Sequence, residues 1–305
     1  MYTSIKLGVQ SILRGFGQVM LQRNAWTGLL FLLAICYDSF LMAGIALISN
    51  IIGTLTAKLL KFRELNIENG IYGFNATLTG IALAFYFQLN SIVLLTIFIG
   101  CILSTLLMEL SIRYKIPVFT FPFILIVGIA LMVLNIFEIA EKSIPENVVD
   151  IIKFEELTDF FVQGHAFGQV LFQGSEVAGL IFLLGVYINS PIAALYAFVA
   201  TTISVAISHF GKGPLDMINS GMYSFNAVLC GIAFSGPKPR DGVFVFISVV
   251  VATLFDMLMV HYGWTTLTFP FVVAMWVVLP IRGLLTYIES KIIKLNQIIL
   301  SKKQK

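Results

Sequence analysis

Two glutamines sit in the same setting 151 residues apart: Phe16-Gly17-Gln18-Val19 returns as Phe167-Gly168-Gln169-Val170. A primary amide in an apolar chain costs several kcal/mol unless it is hydrogen-bonded, about 4–8 kcal/mol on the harshest scale. Each amide therefore has a job. Two readings stand: the glutamines tie down irregular backbone, or they face a path and exchange hydrogen bonds with a polar solute. At the same spacing, Phe74-Asn75-Ala76-Thr77-Leu78 returns as Phe225-Asn226-Ala227-Val228-Leu229. Phe and Leu four apart share a helix face, as core packing or as the apolar wall of a path. Asn75 and Asn226, with Gly80 and Gly231 five residues further on, read as structural, the amides bonding neighbouring helices. Thr120 and Thr268 each precede Phe-Pro-Phe. A threonine there is either an ordinary helix cap or a hydroxyl at a helix start inside the protein.

The missing chemistry is equally informative. Acidic groups and histidines that could relay protons or hold a cation are sparse in the apolar segments: Glu109 and Asp256 read as lying toward segment ends, and Asp38 and Glu176 near turns. His165, His209 and His261 have no counterpart in the other half and read as wet surface histidines. Cys36, Cys101 and Cys230 show no metal or redox spacing and read as small core residues. Neither a catalytic cluster nor a metal or cofactor site is expected. A path for a neutral solute moving down its gradient fits this inventory better than ion coupling, which calls for charged groups inside the membrane.

The elements that must hold these residues follow from composition. Hydrophobic residues make up 58% of the 305, charged residues 11%, and mean hydropathy is +0.95, against about 25% charged in soluble domains. This is an all-α integral membrane protein. Residues 7–22, interrupted by Arg14, Gly15, Gly17, Gln18 and Gln22, are too short and broken to cross and read as a re-entrant half-helix. Apolar segments follow at 25–60, split by a turn at Asp38-Ser39, then at about 70–87, 91–112 and 117–136. Five crossings per half is odd. The second copy therefore enters from the opposite face, giving two inverted-topology repeats with the pore between them.

The expected organisation is a first repeat over 1–140, an acidic extracytoplasmic linker over 141–158, a second repeat over 159–290 and a basic cytoplasmic tail over 291–305. Basic loops at Lys61-Arg63, Arg113-Lys115 and Lys238-Arg240, with the Lys-rich tail, place both termini in the cytoplasm. The linker's Glu138, Glu141, Glu146, Asp150, Glu155 and Glu156 fall outside, and Lys212 is the one exception. No removable leader is expected at the N-terminus, where Lys6, Arg14 and Arg23 are scattered among polar residues.

Gly73-Phe-Asn-x-x-Leu-x-Gly80 and its copy, the two Gly-Gln-Val segments, and Ile116-Pro-Val-Phe-Thr-Phe-Pro-Phe123 with its partial copy Trp264–Phe271 together resemble the urea transporters, bacterial branch. That resemblance implies a passive urea channel of the bacterial inner membrane, a homotrimer with one pore per subunit, in contact with lipid and with no nucleic-acid partner. It implies that Gln18 and Gln169, with Val19 and Val170 beside them, bind urea near the two ends of a filter. Leu21, Phe74 and Leu78, and Phe172, Phe225 and Leu229, would be slot walls, and Thr120 and Thr268 the central hydroxyls. Leu21 stands where an aromatic is usual. The rival classes are an ion-coupled carrier of a small amide or amine, a membrane enzyme, and a pore for ammonia or water; neither paired histidines nor an Asn-Pro-Ala motif supports the last.

Overall fold

A computed structural model describes residues 2–143 and 159–303. Most of the acidic linker, including Glu146, Asp150, Glu155 and Glu156, lies outside the described residues. Among those described the chain is helical, the only β-pairing being an isolated Phe87–Lys142 bridge.

The first half holds α1 (Tyr2–Gln18), α2 (Ala25–Asp38), α3 (Phe40–Leu59), α4 (Glu64–Glu68), α5 (Gly73–Tyr86), α6 (Ser91–Arg113) and α7 (Phe121–Ile136). The second holds α8 (Asp159–Gln169), α9 (Glu176–Asn189), α10 (Pro191–Phe210), α11 (Leu215–Asn219), α12 (Phe225–Phe234), α13 (Pro239–His261) and α14 (Phe269–Lys303). Equivalent helices match in length: 14 residues for α2 and α9, 20 for α3 and α10, 5 for α4 and α11, 23 for α6 and α13. Local sequence sets these ends. The Asn24 side chain accepts from the amides of Trp26 and Thr27, Ser39 from Met42, Asn90 from Ile92 and Val93, and Ser190 from Ala193, so orphan donors of the first turn are satisfied locally.

Among the described residues five helices are long and apolar enough to cross a membrane: Phe40–Leu59, Ser91–Arg113, Pro191–Phe210, Pro239–His261 and Phe269–Lys291. The shorter apolar helices are Ala25–Asp38, Phe121–Ile136, Glu176–Asn189 and Phe225–Phe234. The segment expected at 70–87 is also trimmed, to Gly73–Tyr86. At about 1.5 Å per residue, α12 reaches roughly 15 Å and α5 roughly 21 Å, against a hydrocarbon core of about 30 Å. The cause is a turn inside each apolar run. Gly70 and Gly221 have φ of 75° and 76°, and a Cβ on either would fall on backbone atoms of Arg14-Gly15 or His165-Ala166. Only glycine allows both the left-handed turn and the close passage of α1 or α8.

One expectation is corrected. Residues 7–22 do not form a broken helix: α1 continues through Gly15 and Gly17 to Gln18, and the break comes after it. Those glycines serve packing, since Gly17 lies under the carbonyls of Gln22 and Asn24 and Gly15 against the Asn50 side chain.

The halves meet along a seam where matching positions touch each other. Phe31 and Phe182 pack edge to face with centroids 5.1 Å apart, Phe121 and Phe269 lie 6.5 Å apart, and the hydroxyls of Thr120 and Thr268 are hydrogen-bonded at 2.7 Å. The buried core runs through both halves without a gap.

Candidate functional site

Each glutamine is anchored by its nitrogen. Gln18 Nε2 donates to the carbonyl of Asn69 at 2.9 Å, and Gln169 Nε2 donates to the carbonyl of Ser220 at 3.3 Å. Both acceptors cap the short helix, α4 or α11, that precedes the Gly70 or Gly221 turn. The backbone-tying reading therefore describes the donor end in both halves. Both side chains remain partly exposed.

The next residues fold back. Leu21 and Phe172 occupy the left-handed region, with φ of 59° and 58°, closed by Leu21 N to Gln18 O at 3.0 Å and Phe172 N to Gln169 O at 3.1 Å. The Gln22 and Gln173 amides brace these turns by donating to Met20 O and Leu171 O. A non-glycine left-handed residue is uncommon, and its occurrence at matching places sets each side chain beside its glutamine. Phe172 packs on Phe85 at 5.3 Å and on Tyr86 at 6.2 Å. Leu21 has no such aromatic stack.

Val19, Val170, Leu78 and Leu229 are buried, and Phe74 and Phe225 each retain 6% exposure. Gly80 and Gly231 admit close neighbours, Ser49 on α3 and the Tyr196-Ala197 backbone on α10. Asn75 and Asn226 hold the re-entry of α7 and α14. Asn75 Oδ1 accepts from Phe123 N at 3.3 Å and Nδ2 donates to Phe119 O at 3.2 Å; Asn226 does the same with Phe271 N and Leu267 O, both at 3.2 Å. These amides do the capping that Thr120 was a candidate for. Thr120 stands at the N-cap of α7 but makes no side-chain cap bond. Its hydroxyl goes to Thr268 instead, so two helix starts carry a shared, buried hydroxyl pair between the halves.

Two ionisable groups near segment ends are buried, which for His165 overturns the expectation of a wet surface histidine. Asp256 lies toward the end of α13, as expected, and is 0% exposed, with Oδ2 accepting from Asn226 Nδ2 at 3.1 Å and Oδ1 unpartnered. The corresponding place in the first half holds Met108, whose sulfur lies 3.7 Å from Asn75 Nδ2. Comparison of the two copies at this position was the signal available: methionine in one, aspartate in the other. His165 is likewise buried, with Nδ1 at 3.0 Å from Gly174 O and Nε2 at 3.4 Å from Glu176, whereas His209 and His261 are exposed. Among the described residues no group of three or more His, Cys, Asp or Glu could hold a metal ion.

A cavity of about 500 Å³ opens where both halves contribute, and Gln169 and Phe172 line it with Asp38, Ser39, Phe85 and Gln88. Asp38 closes the end of α2 onto the other half, accepting from Gly174 N at 3.1 Å. Its counterpart Asn189 makes the reciprocal clasp, donating to Gln22 Oε1 at 2.7 Å and accepting from Asn24 at 3.1 Å.

Of the residues expected at the site, Gln169 and Phe172 line this cavity, whereas Gln18, Leu21, Phe74, Leu78, Thr120, Phe225, Leu229 and Thr268 do not. The profile of a protein family described as "UT: Urea transporter" matches residues 9–283. Over 238 residues, 74% of this chain and 62% of the relative, the sequence is 29% identical to "Urea transporter 1" of Rattus norvegicus. It is 27% identical to "Urea transporter 1" of Ovis aries over 241 residues, 75% of this chain and 63% of that protein. The chain accordingly spans somewhat less than two thirds of the length of these relatives. With the family profile matched over nearly its whole length, the chain belongs to the urea transporter family.

Proposed function

We infer that the chain is a passive channel for urea, with a slot-like filter between two inverted repeats. The observation that carries this reading is the pairing of Thr120 with Thr268. A hydroxyl contact between equivalent residues supports a polar station where the two halves meet. Gln18 with Leu21 and Gln169 with Phe172 precede the pair in their own halves, Gln18 by 102 residues and Gln169 by 99. Urea is flat and neutral, with four N–H donors and one strong acceptor. Amide, carbonyl and hydroxyl oxygens along one edge replace water on those donors, and apolar walls from Phe74, Leu78, Phe225 and Leu229 accept its faces. An ion entering such a slot loses hydration without a compensating charge, at several kcal/mol.

Support for the inverted arrangement is geometric. The Asp38-Ser39 turn, the Phe87–Leu89 loop and Ser143 line one cavity, as successive crossings require if those three points share a membrane face. The short helices α5 and α12, each following a left-handed glycine turn, and the touching equivalents fit a two-fold relation. In this reading the protein is a homotrimer in the inner membrane of a bacterial cell, both termini cytoplasmic, with residues 141–158 outside.

A proton- or Na⁺-coupled carrier has one observation in its favour, the buried carboxyl of Asp256. It has no acidic counterpart in the first half, where Met108 stands. The test of the filter is stopped-flow urea flux into proteoliposomes for wild type and Phe74→Trp. A bulkier ring at this enclosed wall is expected to block flux while protein yield and thermal stability stay near wild type. Unimpeded flux through a folded Phe74→Trp protein would rule out a slot at that position.

A further inference from the structure

The two mouths of the proposed path are not equivalent. In the cavity that holds Gln169 and Phe172, Asp38 is the only ionisable lining residue among the described residues. Its carboxylate is fixed rather than free to swing, because Oδ2 accepts the Gly174 amide ahead of α9. Beside it the Phe172 ring packs on Phe85, which also lines the cavity, and Gln169 commits its nitrogen to Ser220. The cavity is roomy for one small molecule, at about 500 Å³. In the other half the same position is Asn189, a neutral amide already engaged by Gln22 and Asn24.

We propose that the Asp38–Gln169–Phe172 mouth is a binding site for a small planar cation of the guanidinium class, which blocks urea entry from that face alone. The inference rests on the urea-channel reading. A guanidinium ion has the outline and donor pattern of urea plus one positive charge. The charge is met by the Asp38 carboxylate, the face of the ion by the Phe172 and Phe85 rings, and its N–H donors by oxygens at the cavity wall. The same ion cannot go further. On the channel reading the walls beyond the mouth are Val170, Phe225 and Leu229, which are buried and uncharged, and an ion gives up hydration there with nothing to replace it. A cation held at the mouth and refused by the slot is a plug.

The test uses urea flux in right-side-out and inside-out membrane vesicles, with methylguanidinium added to the outer solution and methylurea and choline as neutral and bulky-cation controls. Methylguanidinium is expected to slow urea flux from the face bearing Asp38 and not from the opposite face. Asp38→Asn, which keeps an oxygen for the Gly174 amide, is expected to raise the half-inhibitory concentration about five- to tenfold, the scale of one partly screened charge pair. Asn189→Asp is expected to make the other face sensitive. Equal inhibition from both faces, no inhibition from the Asp38 face, or inhibition unchanged in Asp38→Asn would each overturn the proposal. A wild-type protein that passes no urea would instead sink the channel reading. The site then stands or falls on saturation transfer to the methyl group of methylguanidinium in the purified protein. A signal in wild type that is lost in Asp38→Asn supports it, and equal signals or none overturn it.

Discussion

The Thr120–Thr268 contact makes a quantitative prediction because both partners are buried and each can be replaced by an isostere. Valine keeps the threonine shape and removes only the hydroxyl. In Thr120→Val the Thr268 hydroxyl, 3% exposed, loses its partner at 2.7 Å. A buried hydroxyl left unsatisfied costs about 1–3 kcal/mol, and the lost hydrogen bond itself is worth a net ~1 kcal/mol. The single changes Thr120→Val and Thr268→Val are each expected to destabilise by about 1–3 kcal/mol. The double change removes both polar groups and leaves nothing unpaired, so it is expected to cost no more than one single change. The cycle should therefore show a coupling of about 1–3 kcal/mol, at least the cost of one single change. Reversible unfolding in mixed micelles with increasing denaturing detergent measures all four proteins. If the two single costs simply add, the hydroxyls do not depend on each other, and the central polar station is not the one described. Urea flux provides the functional arm: with the double variant folded, the polar pair is gone from the seam, and flux is expected to fall.

Replacing Asp256 with methionine, the residue the first half has at Met108, is expected to be neutral or stabilising by about 1–4 kcal/mol, since a buried carboxyl with an unpartnered oxygen gives way to an apolar group; marked destabilisation in the same unfolding assay would show that the carboxyl is essential to the α14 start. Asn226→Ala should cost more than Asn75→Ala by about 1–3 kcal/mol, because it strands Asp256 as well as Phe271 N and Leu267 O, and equal costs in thermal unfolding would refute that ordering. Gly70→Ala and Gly221→Ala combine a left-handed backbone with a clash on α1 or α8, so each is expected to abolish folded protein at ordinary expression temperature; a monodisperse, thermally normal Gly70→Ala protein on size-exclusion chromatography would contradict the packing described.

The sequence carried much of this architecture in legible form because duplication writes the same instructions twice. The 151-residue offset that pairs Gln18 with Gln169 also pairs the left-handed turns at Leu21 and Phe172 and the glycine turns at Gly70 and Gly221. The helix boundaries at Ser39 and Ser190 follow from side-chain caps that act within three residues, a range that reading along the chain can see. The parts that stayed hidden depend on distance. Thr120 has the composition of a helix cap, yet the cap of α7 comes from Asn75 in another helix, 48 residues away from the amide it satisfies. His165 reads as a wet histidine and Asp256 only as lying near the end of an apolar run, but the α8–α9 loop and α12 contact them and both are buried. Helix lengths were overestimated for the same reason. Hydropathy registers the apolar run from Gly70 onward and not the turn within it that α1 crosses.

The passive, uncoupled movement of urea is the central claim, and one flux experiment addresses it most directly. Purified protein in liposomes is loaded with or without urea and exposed to an outward or inward urea gradient by stopped flow, with Na⁺ and proton gradients imposed in either direction or abolished by ionophores. The account predicts a flux that follows the urea gradient alone and stops at equal concentrations, whatever the ion gradients do. Urea accumulation above the external concentration, or flux that collapses with the proton or Na⁺ gradient, would contradict it and make Asp256 the first residue to examine as the coupling site.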